Sequence, residues 1–190
     1  MSNKKVVYLL GKGDGWDAIK DVPKDSIIYG VNDACLRTPE VTHTFHMHDL
    51  KDFHHNQVTA SSTRLMIEHC QEHPEMPLYT VRRYKEFPNC ILYPLEEVTD
   101  YFKLPTPYFS SGPEYMIAWA IKEGFEEMHL MGLNMSSHEE WKEQKPGMEF
   151  WLGLALGRGM KVHMQWKQTS LLKTKDDKLY GYFMKQWRNY

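Results

Sequence analysis

The stretch that most constrains the fold is FSSGPEYMIAWAIKEGFEEMHLMGLNM, Phe109 to Met135. It reads as a Ser/Gly turn, an amphipathic helix, a glycine stop and a buried strand. Ser110 or Ser111 is expected to cap the helix, and Glu114 follows Ser111 at the spacing of a capping box. Met116, Ile117, Ala120 and Ile121 recur with the helical period, and Gly124 supplies a left-handed stop. Glu127 to Leu133 is then a short apolar run ending in Gly132-Leu133-Asn134. A helix that opens on Ser-Ser-Gly offers first-turn N–H groups and the positive end of its dipole to an anion. A strand ending beside it leaves a crevice at its carboxyl edge, where open α/β sheets bind ligands.

The rest of the chain repeats this alternation. Val6 to Leu10 is a β-branched, apolar strand, and Gly11-Lys12-Gly13-Asp14-Gly15 turns it into a helix expected over Trp16 to Lys20, with Asp14 as its cap. Further strands are expected at Ile27 to Val31, Thr42 to Met47, Leu78 to Val81, Cys90 to Tyr93 and Met160 to Met164. Helices are expected over Ser61 to His73 and Pro146 to Gly157, with Pro146 suited to a first helical position. Pro94 to Pro107 and Ser136 to Lys145 read as irregular connections. Strands alternating with helices across glycine-marked turns predict an α/β fold: a Rossmann-like, mostly parallel sheet with helices on both faces. That domain is expected over residues 1–165, with a C-terminal extension over 166–190.

At 190 residues, 42% of them hydrophobic and 25% charged, the chain has material for one well-buried domain. No apolar run is long enough to span a bilayer, and the basic start followed by a short apolar run reads as the first strand, not as a signal segment. Cys35, Cys70 and Cys90 are odd in number and widely spaced, which suggests neither a disulfide framework nor a zinc knuckle and fits a cytoplasmic location. The net charge of −2 divides unevenly, since residues from Arg158 onward carry about +6. This basic tail also holds Trp166, Tyr180, Tyr182, Phe183, Trp187 and Tyr190. Such interleaving can bind single-stranded nucleic acid. The preferred reading is that the aromatics dock the tail onto the domain or onto a second copy of the chain.

In a parallel sheet the GKGDG turn, Asn32-Asp33, Gly132-Leu133-Asn134 and the Ser-Ser-Gly turn converge on one edge. Glycine lets backbone approach a phosphate, and Asn32 or Asn134 can read a ribose or base edge. The dinucleotide fingerprint is incomplete, because Trp16 stands where its third glycine belongs, although Asp33 lies near the position of a ribose-binding acid. His43, His46, His48, Asp49, His54 and His55 form a histidine-rich run. His46 and His48 could form a metal pair, but the preferred reading places His48 and Asp49 in the crevice as acid–base groups. No metal ligand set is assigned, and His69, His73, His129 and His163 are read as structural. His138, Glu139, Glu140 and Trp141 lie in the connection above the central strand's end. There an aromatic can exclude water and an acid or a histidine can take a proton. Glu149 on the next helix is expected to face the same crevice. Nucleophile-elbow and P-loop patterns are absent from the sequence.

With these residues in place, the chain resembles a known group. GKGDG resembles the GxGPS turn that opens bacterial sialyltransferases and the related motility accessory factor and 6-hydroxymethylpterin pyrophosphokinase-like proteins. Val31 to Ala34 is similar to their strand-ending Asn segment, and Phe109 to Met135 to their TSG–helix–GY–strand–GxD segment. The chain also resembles small phage-encoded proteins with VND, FHMHDL and a late LYGY, which implies a protein acting in a host cytoplasm. The resemblance implies that Gly11, Gly13, Asn32, Ser111, Gly112 and Asn134 contact a nucleotide, with Trp141 over its base or ribose. Asp14-Gly15 stands in place of Pro-Ser, Asn134 in place of an acid, and the group's catalytic histidine has no match in the helix from Pro146. The expected function is transfer of a sugar or other group from a nucleotide or nucleotide-sugar donor to a small polar acceptor. His48, Asp49 or His138 would act as base, with Mg2+ as an accessory cofactor. Two alternatives are diphosphate transfer from ATP to a pterin-like alcohol, and sequestration of a nucleotide or host factor without turnover.

Overall fold

The structure, a computed structural model, describes residues 5–50, 57–85, 87 and 89–174. Seven strands form one sheet: β1 (Val6–Leu10), β2 (Ile27–Val31), β3 (His43–His46), β4 (Leu78–Thr80), β5 (Cys90–Leu92), β6 (Glu127–Met131) and β7 (Lys161–Met164). Their order is β5-β4-β3-β2-β1-β6-β7, and every neighbouring pair is parallel. The chain therefore builds outward from β1 to one edge, returns, and builds β6 and β7 on the other side.

Alternation along β1 assigns the two faces. Val7 and Leu9 enter a core shared with Phe45, Met116, Ile117, Met128, Leu130 and Trp151. Leu10 faces the other way, with Ile28, Cys35, Met66, Cys70 and Leu78. Four α-helices cover these faces: α1 (Gln57–Glu72), α2 (Leu95–Phe102), α3 (Gly112–Lys122) and α4 (Lys145–Gly157). Met66 and Cys70 of α1 lie four residues apart and pack on one face of the sheet, while α3 and α4 pack together on the other. Trp151 is fully buried in that second layer, its indole N–H donating to the Tyr108 carbonyl at 2.8 Å. Among the described residues no helix is long and apolar enough to cross a membrane.

Several local expectations need correction. The helix after β1 is a 3₁₀ turn, Trp16–Asp21, whose cap position is Gly15 at φ 82 with no side-chain cap, so Asp14 does not cap it. Residues expected to be irregular after Pro94 form α2, whose Val98 and Phe102 are buried one turn apart. The expected loop before α4 is helical from residue 138, and Glu140–Gln144 is a π-helical turn. Pro146 lacks an N–H and its ring crowds the carbonyl four residues back, and the wider turn opens at that point. Of the extension, residues 166–174 pack on the domain: Leu171 is fully buried, and the Leu172 N–H donates to Glu149 at 2.6 Å. The remaining tail aromatics, Tyr180 onward, and His54 and His55 lie outside the described residues.

Candidate functional site

Each strand near the middle of the sheet ends in backbone that cannot continue as a strand. After β1, Gly11 packs so closely on the end of β6 that a Cβ there would meet the Gly132 carbonyl oxygen at 2.3 Å. The Gly11 N–H donates to the Met131 carbonyl and the Gly13 N–H to the Gly132 carbonyl, both at 2.8 Å. These two N–H groups, expected to face a phosphate, thus hold the turns together. After β2, Asn32 adopts the left-handed conformation at φ 53, which Asn tolerates better than most residues. After β6, Gly132 and Met135 are left-handed, at φ 63 and φ 49. Between them Asn134 is buried and donates from Nδ2 to the Asp14 carbonyl at 3.0 Å.

The amino end of α3 closes the arrangement, but not by the expected cap. Ser111 sits at the cap position without a side-chain bond to the helix backbone. Instead its hydroxyl donates to Glu114 Oε1 at 2.8 Å, the Ser110 hydroxyl donates to the same oxygen at 2.7 Å, and the Ser110 N–H donates to Oε2 at 2.6 Å. Glu114 is fully buried, and desolvation raises its carboxyl above the usual range against the lowering effect of these bonds. Gly147 of α4 makes room for it, since a Cβ there would lie 2.5 Å from Glu114 Oε1. The serines are thereby fixed by the carboxyl behind them, and the first turn of α3 presents its backbone forward.

These turns enclose one cleft of about 330 Å3 at the carboxyl edge of β1, β2 and β6, where the strand order reverses. Gly13, Asn32, His48, Ser111, Gly112 and Asn134, all singled out in the sequence, line it together. So do Lys12, Ser136 and Gln144, which spacing does not single out, and Glu140, one of the acids expected above the central strand's end. Lys12 reaches Asp33 at 2.7 Å, so Asp33 is the partner of a lysine and not a separate lining group. The Asn32 Oδ1 is buried with no hydrogen-bond partner among the described residues, although an acceptor so placed ordinarily has one. His48 is exposed at the rim, and desolvation together with the Lys12 ammonium lowers its pKa below the ordinary histidine value.

The remaining expectations do not meet at the cleft. Gly11 is buried behind it. Asp49 pairs with Arg82 and accepts from the Tyr84 hydroxyl at 3.0 Å, so it serves the β4 side of the fold. His138 is exposed outside the cleft, and Trp141 is 47% exposed, with the Lys145 ammonium 5.6 Å from its ring centroid. Glu149 pairs with Lys145 at 2.7 Å and with the Leu172 backbone, facing residues 166–174 and not the crevice. Lys12 was signalled by its place between two glycines. Gln144, one helical turn beyond Glu140, is hidden when the segment is read as loop.

No family model matches the chain, and neither does any curated protein. Among solved structures, the fold is similar to that of the sialyltransferase CstII from Campylobacter jejuni in complex with cytidine-5′-monophosphate. That match has 15% identity and a TM-score of 0.53, over 92% of this chain and 88% of that one. The same enzyme in complex with CMP-3FNeuAc matches at 16% identity and a TM-score of 0.54, over 88% and 85%. The apo alpha-2,3-sialyltransferase from Campylobacter jejuni matches at 16% and 0.52, over 90% and 81%. Likeness at this identity is a likeness of fold.

Proposed function

We propose that the cleft binds the phosphates of a nucleotide and that the protein transfers the group this nucleotide carries to a polar acceptor, as a nucleotide-sugar-dependent glycosyltransferase does. The observation that carries this reading is the meeting of Lys12, Asn32, Asn134 and the first turn of α3 at the point where strand order reverses. A phosphate there meets the Gly112 N–H with the positive end of the α3 dipole, and the Lys12 ammonium; both stabilise charge that grows on a departing phosphate. Pro113 has no N–H to add, and the Glu114 N–H is donated to the Ser111 carbonyl at 3.3 Å. The unpartnered Asn32 amide oxygen suits a ribose hydroxyl or a base N–H. His48, neutral at pH 7, is placed to take a proton from an acceptor hydroxyl. Glu140 is the one carboxylate among the described lining residues, and a Mg2+ ion carried in by a diphosphate would find it there.

Two of the three solved structures named above, both of CstII, hold cytidine-5′-monophosphate or CMP-3FNeuAc, which makes cytidine nucleotides the first probes. Thermal unfolding of the full chain against CMP, CMP-sugars, other nucleotide sugars and ATP, with and without Mg2+, tests the binding step. A true ligand at a hundred times its Kd adds about 2.7 kcal/mol of stability. Asn32→Asp puts a negative charge into nearly the same volume and is expected to weaken that ligand at least tenfold, as is Lys12→Ala. Equal affinity in both variants and the wild type would move the site elsewhere. Gly112→Asp is a poorer probe, because a Cβ there would meet Val31 Cγ2 at 2.8 Å.

One observation favours binding without turnover: of three expected bases, His48 alone lines the cleft. Recovery of a nucleotide sugar unchanged after long incubation with acceptors would support that second reading. Release of AMP from ATP would instead indicate diphosphate transfer.

A further inference from the structure

The side of β6 that faces away from α3 and α4 carries a second constellation, none of whose members lines the cleft. Glu127 and His129 alternate along β6 and so share a face, while Met128 and Leu130 between and beside them enter the core. His163 of β7 stands directly beside His129 in the parallel register. Glu127 Oε1 lies 3.1 Å from His129 Nε2 and 3.0 Å from His163 Nε2. The two imidazoles stack at 4.3 Å with planes 11° apart, and Tyr8 of β1 stacks on His129 at 4.8 Å. One ligand atom from each of Glu127, His129 and His163 thus falls within 4.8 Å of the others.

We propose that Glu127, His129 and His163 form a binding site for a divalent transition-metal ion of the zinc type, which pins the edge strand β7 to β6. Two imidazole nitrogens and one carboxylate oxygen are a donor set that Zn2+ takes at about 2.0–2.2 Å, which sets tetrahedral ligands roughly 3.3 Å apart. Both carboxylate–imidazole separations are already near that value. Bringing the two imidazole nitrogens to it takes a turn of the His163 ring, whose side chain is 49% exposed and whose terminal torsion is soft. Tyr8 holds the His129 ring from the other side, which orients one ligand before any metal arrives. The fourth position opens toward solvent and is filled by water. Ca2+ and Mg2+, which prefer shells of oxygen, are poorly served by two imidazoles. By spacing alone both histidines look structural, because strand register between distant segments is invisible to it.

The test is calorimetric titration of the full, tag-free chain with Zn2+, with Co2+ absorption as a report on geometry. The wild type is expected to take up one saturable equivalent and to show visible bands of tetrahedral Co2+. His163→Ala and Glu127→Gln are each expected to weaken this uptake at least tenfold and to remove the rise in Tm that Zn2+ produces. His163 is half exposed and Glu127→Gln keeps the side-chain shape, so neither variant depends on rebuilding the core. His69→Ala is the control, because the His69 and His73 rings form another imidazole pair 4.5 Å apart, and it is expected to leave the uptake unchanged. Equal affinity in the wild type and His163→Ala, loss in His69→Ala instead, or no saturable uptake at micromolar metal overturns the proposal.

Discussion

His46 shows how one side chain ties the fold to solvent conditions. It ends β3 with only 2% of its surface exposed, and its imidazole is pushed down to about 4, first by burial and then by His48 and Lys12. The folded protein keeps it neutral where the unfolded chain takes a proton, so its contribution is complete above about pH 6.5 and is lost as pH falls toward 4. The loss is on the order of 3 kcal/mol. Urea midpoints measured from pH 7 to pH 4 are expected to fall, and His46→Gln is expected to flatten that slope. At this scale the sequence was legible in part. Ser111 and Glu114 were recognised as a pair, but the direction of their bonds depends on the Glu114 carboxyl being buried against Gly147, a residue 33 positions away. Asn32 was visible as a strand end. Its left-handed backbone and buried amide oxygen are tertiary facts that no local spacing signals.

Elements were easier to read than side chains. Strands β1 and β2 fall where their β-branched runs begin and end, because a buried parallel strand needs apolar residues on both faces. Misreadings cluster at prolines. Pro94 and Pro107 bracket a segment that looks irregular, yet Leu95, Val98 and Phe102 give it a helical apolar stripe. Pro146 does stand at the first turn of α4, as expected, and what the proline conceals is the widened helical turn that runs into it from the segment read as loop. That turn carries Glu140 and Gln144 to the cleft, and Gln144 becomes legible there only once the segment is helical. The layer behind the cleft rests on Trp151, packed between Phe102 at 5.0 Å and Phe109 at 4.9 Å. Trp151→Ala is expected to cost about 3–5 kcal/mol in chemical denaturation. It also leaves the Tyr108 carbonyl without its indole donor.

For the whole molecule, stability is graded from the middle of the sheet outward. β1 and β6 are paired on both sides and covered by core residues of 0–3% exposure such as Val7, Leu9, Met128 and Leu130. β5 is a three-residue edge strand whose Ile91 and Leu92 are 41% and 44% exposed. In native-state hydrogen exchange, amides of β1 and β6 are expected to exchange only through global unfolding, and those of β5 through local opening at lower free energy. The cleft spans this protected middle, and residues 166–174 brace it from outside, the Ser170 N–H donating to the Asn134 carbonyl at 2.9 Å. Because the strand order reverses beside β1, both arms of the sheet grow away from the cleft. Additions or losses at β5 or β7 therefore change the molecule's breadth and its neighbours while the turns around Asn32 and Gly132 keep their places. A fold laid out in this way can acquire new borders, and new tasks at those borders, without renegotiating its centre.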